Sequence, residues 1–191
     1  MYNSLSALPA IPYNIIVALA TSPDAEDLWK MLKYGDYYAL NNDNLTFDEK
    51  LSFIWREGPQ EKFGVFLTNL IEDAIAESKC IFKCYDSYVH ASNLYSGVAV
   101  YAFEFLYGGQ MSLVEKDGRP VSRGDLFVNT ILTVLNGKEI GGIGKLTFFE
   151  EMSRYDYARA VVGNSKTFTG VQLFLSTIVG DNGKESGCGE I

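Results

Sequence analysis

Four groups of residues in this chain have types and spacings that could do chemistry. They are the glycines and lysines of NGKEIGGIGKLT (Asn136–Thr147), the lone His90, the cysteines Cys80, Cys84 and Cys188, and the carboxylate pairs Glu72/Asp73 and Glu150/Glu151. The glycine stretch invites a phosphate. A phosphate loop needs G-x-x-x-x-G-K-S/T, so that backbone N–H groups surround the phosphate and a hydroxyl holds magnesium. Reading back from Gly144-Lys145, the first glycine position holds Glu139 and the hydroxyl position holds Leu146. The expected order is also reversed, with a helix before the glycines and a strand after them, so the positive end of a helix dipole does not face the loop. The dinucleotide pattern G-x-G-x-x-G ends after Gly142 and Gly144, because Lys145, Leu146 and Thr147 follow. The nucleophile elbow G-x-S-x-G is approached by Gly163-Asn-Ser-Lys-Thr167, where Thr167 replaces the final glycine.

The other groups are weaker. Cys80 and Cys84 in CIFKC share one face of a strand-like run, and a single histidine supplies too few further ligands for zinc, so both are expected as small apolar core residues. His90 sits among Tyr88, Ser92 and Asn93 and is expected at a surface or an interface. The paired carboxylates are neighbours on solvated segments rather than partners across a cleft, as a two-carboxylate hydrolase requires. The expectation is therefore a protein that is not an enzyme, with no catalytic, cofactor-binding or metal-ligating residue and no cofactor.

Whole-chain properties narrow the classes further. In 191 residues, 16 basic and 24 acidic side chains give a net charge of −8, which disfavours reading of a phosphate backbone. Three cysteines cannot all pair within one chain, and a reducing compartment is the simpler expectation. IPYNIIVALA ends like a signal-peptidase site, yet no Lys or Arg precedes Lys30, and Pro12 and Asn14 interrupt the apolar run. No stretch reaches the ~20 apolar residues of a membrane helix. A soluble chain without a membrane partner, intracellular when made, is expected.

The elements that must position these residues read as α+β: an N-terminal helical segment over 1–60, a core over 61–179 in which a mainly antiparallel β-sheet packs against one or two helices, and a flexible tail over 180–191. Ile15, Ile16 and Leu19 share a face of a helix starting near Pro12. Ser22 and Pro23 suit the N-cap and first position of a second helix, with Leu28, Trp29 and Leu32 facing inward. Thr46-Phe-Asp-Glu49 is a capping-box pattern, and Phe47, Leu51, Ile54 and Trp55 predict an amphipathic stripe that ends by Gly58-Pro59. KFGVFL and KCIFKCY read as strands, with IEDAIAE between them as a turn or short helix. Val98–Tyr107 is the clearest strand, with Ala99, Tyr101, Phe103, Phe105 and Tyr107 on one face and Val98, Val100, Ala102 and Glu104 on the other. Such an aromatic face has to be covered by a helix or by another subunit. The helix capped at Ser122-Arg-Gly-Asp125, carrying Leu126, Phe127, Ile131, Val134 and Leu135, is the expected cover, with Gly137 as its left-handed C′ residue. LTFFE and TGVQLFLSTIV predict two more strands, joined by a polar connection from Met152 to Ser165.

This order of elements carries a resemblance. Arg123–Phe148, a helix ending LNG followed by IGGIGKLTF, resembles the C-terminal half of neck proteins of tailed bacteriophages. LPAIPYNIIVALA, LWKMLKY and NLTFDEKLSFIW are similar to the helical opening of the same proteins. Together these stretches hold 58 of the 191 residues. The resemblance implies a structural virion protein, a head-tail connector in the head-completion or tail-terminator class, whose ring joins the portal and head to the tail. It implies self-association, commonly as a hexamer or dodecamer, with portal or adaptor proteins and tail proteins as neighbours. DNA would pass through the channel without sequence readout. The location implied is the virion neck, reached from the host cytoplasm during assembly. CIFKCYDSY and the glycine-containing tail depart from the family pattern. Two other readings stand beside it: a tail-tube or baseplate adaptor, and a small α+β ligand-binding domain or enzyme, for which His90 and Lys145 would be the residues to test.

Overall fold

A computed structural model describes residues 8–69, 79–91, 96–141, 144–148, 159–162 and 168–180. Helices α1 (Ile11–Thr21), α2 (Glu26–Lys33) and α3 (Phe47–Ser52) precede β1 (Val65–Phe66), β2 (Ile81–Ala91) and β3 (Ser96–Gly108). A small hairpin of β4 (Leu113–Lys116) and β5 (Arg119–Ser122) leads into α4 (Arg123–Leu135), and β6 (Arg159–Val162) and β7 (Phe168–Gly180) complete the sheet. The main sheet has the order β1-β2-β3-β7-β6. Its β2–β3, β3–β7 and β6–β7 pairs are antiparallel, and only the short β1 lies parallel to its neighbour. The expected α+β class is therefore observed.

Alternation in β3 does what the pattern predicts. Ala99, Tyr101, Phe103 and Phe105 are fully buried and share one core with Phe82, Cys84, Leu173 and Leu175 from the neighbouring strands. Helix α4 covers this face: the Phe127 ring stacks on Phe105 at 5.0 Å and meets Phe82 edge-on at 5.4 Å. Ser122 Oγ accepts a hydrogen bond from the Asp125 N–H at 3.3 Å, the expected N-cap, and Gly137 has φ +77°, the expected left-handed C′ residue. Helix α1, which contains the whole of the signal-like IPYNIIVALA, buries Ile11, Ile15, Ile16 and Leu19 in the same core.

Several local expectations need correction. The capping box at Thr46 and Glu49 is present, but α3 ends at Ser52, because Trp55 N–H donates to the Val65 carbonyl at 2.8 Å and Ile54 bridges Val65. The predicted stripe breaks accordingly. Phe47 is 42% exposed, and the buried residue of α3 is Lys50, whose amine bonds the Ala20 carbonyl at the end of α1 and pairs with Glu26. Ser22 makes no side-chain cap, and Pro23–Ala25 form a single 3-10 turn before α2 begins at Glu26. KFGVFL contributes only Val65 and Phe66 to the sheet. The connection from Met152 to Ser165 contains a strand, β6, and Gly180 ends β7 in register with Ser96 rather than opening the tail. Within LTFFE, Thr147 makes a single bridge to Ser176. The β4–β5 hairpin was not anticipated, although its Asp117-Gly118 turn, with both φ values positive, is a strong hairpin signal. IEDAIAE, Phe149 and Glu150 of LTFFE, and the tail from Asp181 lie outside the described residues.

Candidate functional site

The glycine stretch follows α4 and folds back on itself. Gly137 N–H donates to the Leu146 carbonyl at 2.7 Å, Leu146 N–H to the Lys138 carbonyl at 2.8 Å, and Lys138 N–H to the Leu135 carbonyl at 3.0 Å, while Glu139 bridges Lys145. These donors serve the loop's own closure. Beyond it, Thr147 and Ser176 exchange backbone hydrogen bonds at 2.8 and 3.1 Å, which ties the loop to β7. A Cβ at Gly144 would stand 2.6 Å from the Ile178 carbonyl oxygen, so this position brings two backbones into contact. The stretch joins the helical layer to the sheet. Gly142 lies outside the described residues.

Cys80 and Cys84 are buried free thiols in the core, as expected. Burial pushes the Cys80 thiol up to about 11 against the opposing pull of Arg123, and pushes Cys84 further still, so neither is a thiolate nucleophile near neutral pH. His90 is exposed on β2 with its ring stacked on Tyr88 at 6.1 Å. Glu72/Asp73, Glu150/Glu151, Gly163–Thr167 and Cys188 lie outside the described residues. Among the described residues no three His, Cys, Asp or Glu side chains stand close enough to hold a metal ion, and no helix is long and apolar enough to cross a membrane.

Three polar arrangements were not anticipated. On the sheet face away from α4, Glu104 takes hydrogen bonds from Tyr85 Oη at 2.8 Å and Gln172 Nε2 at 2.5 Å, and its second oxygen pairs with Lys83 Nζ at 3.0 Å. Burial, and next the Glu104 carboxylate, push the Tyr85 phenol well above its ordinary range, so it stays a proton donor. The signal was present in the sequence as isolated polar residues within apolar strands, Lys83 in CIFKC, Glu104 in AFEFL and Gln172 in GVQLF. The second arrangement is Arg123, fully buried at the start of α4. Its Nη1 donates to the Met31 and Tyr34 carbonyls, both at 3.2 Å, and Nη2 donates to the Asp36 carbonyl. It thereby closes the C-terminal end of α2, where carbonyls lack intrahelical donors. The third is a polar cavity of about 290 Å³ between Pro23–Asp27, Lys116 and the α4 residues Leu126, Asn129, Thr130 and Thr133. The Lys116–Asp27 ion pair at 2.7 Å lies in its wall.

Two of the exposed apolar surfaces among the described residues lie near the ends of the long strands. The first follows Arg123's grip on Asp36: Tyr37 and Tyr38 meet edge to face at 5.1 Å, Tyr37 accepts the Glu115 N–H of β4 at 2.7 Å, and nearby Leu113 is 49% exposed. Tyr38 is 61% exposed. The second is at the far end of the long strands, where His90, Val98 and Ile178 form one cross-strand row and Ile178 is 66% exposed. Arg123 also contacts Cys80, next to the first residue of β2, at 3.7 Å. The two surfaces therefore lie towards opposite ends of β2, a strand about 30 Å long at the usual rise.

The described residues form an α+β protein whose helices and sheet share one core. The chain belongs to the YomW family, whose family model matches residues 25–177. This is a phage-type family, which marks the chain as phage-associated. No curated protein and no solved structure matches the chain.

Proposed function

We propose that this chain is a structural virion protein that forms a ring in the neck of a tailed phage, between portal and tail, and performs no catalysis. The observation that carries the reading is the placement of two different apolar surfaces, around Tyr37–Tyr38–Leu113 and around Val98–Ile178, at opposite ends of the long strands. Distinct surfaces on one protomer permit head-to-tail contacts, and such contacts close into rings when the rotation between neighbours allows. Exposed tyrosines suit this use, since they bury large area at low entropic cost. Phage-type family membership and the resemblance of Arg123–Phe148 to neck proteins point the same way. A net charge of −8 suits a channel along which DNA slides without adhering. Portal or adaptor proteins and tail proteins are the partners in this reading, and the virion neck is the location.

Light scattering and negative-stain imaging of the purified chain, alone and with portal and tail-tube components, test the proposal. Rings are expected alone or on a partner ring. A monodisperse monomer that binds neither component would count decisively against it. Ile178→Asp and Tyr38→Ser should each abolish ring closure while leaving the circular dichroism spectrum unchanged. Wild-type assembly by both variants would remove these surfaces as the interfaces.

A further inference from the structure

The aromatic face of β3 does not distinguish the observed register from one shifted by two residues. Tyr101, Phe103, Phe105 and Tyr107 repeat at two-residue spacing, so such a slip replaces one aromatic ring by another at Phe103 and Phe105 and keeps every side chain on its own face. The pairing of β3 with β7 is the longest in the sheet and runs from Ser96↔Gly180 to Gly108↔Phe168 without a bulge. No tight turn joins these strands, since β4, β5, α4 and β6 intervene. Their register is therefore not set by a turn.

On the opposite face a single row crosses three strands, Lys83↔Glu104↔Gln172, and all three residues are at most 9% exposed. A two-residue slip of β2 against β3 would set Glu104 opposite Ile81 or Tyr85, and Lys83 opposite Ala102 or Leu106. A slip of β7 would set Glu104 opposite Gly170 or Phe174. A slip of β2 parts the buried Lys83–Glu104 pair, which is strongly unfavourable; a slip of β7 leaves that pair intact but takes the buried Gln172 amide from the Glu104 carboxylate and sets it opposite Ala102 or Leu106. We infer that the Lys83–Glu104–Gln172 row is a register lock, which selects one pairing of the central strands from alternatives that keep aromatic rings on the apolar face. This goes beyond the assembly role and does not depend on it.

Cross-strand backbone nuclear Overhauser effects in the isotope-labelled full chain read the register directly. Wild type should give one set, with Phe103 opposite Leu173. Replacing Lys83→Met and Glu104→Leu together should leave a folded sheet with a second set shifted by two residues. A single native set in this apolar variant would overturn the lock. So would failure of the variant to fold, because the row is inferred to choose among folded registers rather than to supply the stability of the sheet. Charge reversal, Lys83→Glu with Glu104→Lys, should restore the single native set; mixed registers in that variant would also count against the inference.

Discussion

The two faces of the central sheet achieve burial by different means. Against α4 the sheet presents Phe82, Phe103, Phe105 and Leu175, and Phe127 stacks among them. On the other side Glu104, Lys83, Tyr85 and Gln172 satisfy one another at 2.5–3.0 Å. The first face supplies non-directional stabilisation in proportion to area. The second supplies little net free energy, because desolvation offsets the pairing, but it fails sharply when one member is removed. Bulk and specificity are thus divided between the faces.

Substitutions can break or sharpen this contrast. The largest loss is expected from Phe105→Ala on the helix-covered face, at roughly 3–5 kcal/mol in urea unfolding, from lost transfer free energy plus a cavity. Glu104→Ala should cost about 3 kcal/mol by leaving the Lys83 ammonium buried and unpaired. The paired replacement of Lys83 and Glu104 by apolar residues should cost much less than that single change, and equal costs would erase the distinction between the faces. Gly144→Val tests the joint between the glycine loop and β7, since its Cβ meets a backbone carbonyl at 2.6 Å. Overpacking there should cost about 1–3 kcal/mol with no nucleotide-dependent change in melting temperature. Thr46→Ala, remote from both faces, should cost about 1 kcal/mol through loss of the helix cap.

The same cap carries a pH signature. Hydrogen bonding from the Thr46 N–H, then from Lys33 and the Thr46 hydroxyl, holds the Glu49 carboxyl at about 2, below its model-compound value of 4.5. The charged form is the one favoured by folding, so its contribution is complete above about pH 4.5 and is lost as pH falls towards 2. Acid titration of stability should show a shallower decline over that range in Glu49→Gln. An unchanged profile would refute the role of this carboxylate.

Much of the fold was legible because its signals are local. Ser122 and Asp125, Thr46 and Glu49, and Gly137 after Asn136 each act within one turn of backbone, and all three features are present. Alternation in Val98–Tyr107 and TGVQLFLSTIV marked the two longest strands, since burial on one face imposes period two. Legibility failed where another segment intervened. Helix α3 stops at Ser52 because β1 captures the backbone of Trp55, and β6 was concealed in a polar connection whose pairing is with β7. In the glycine stretch, motif spacing was enough to reject a phosphate loop, whereas the contact of Gly144 with Ile178 required the sheet.

The amino-acid sequence by itself determined the caps, the left-handed helix exit, the two-faced strands and the α+β order, because each follows from neighbours a few residues apart. Tertiary structure alone decided that Arg123 closes α2 through the Met31 carbonyl 92 residues away, and that Gln172 meets Glu104 across 68 residues. It also decided that the exposed tyrosines and Ile178 stand at opposite ends of the strands. Contacts of such separation depend on how strands and helices are ordered in space, and local propensity carries no record of that order.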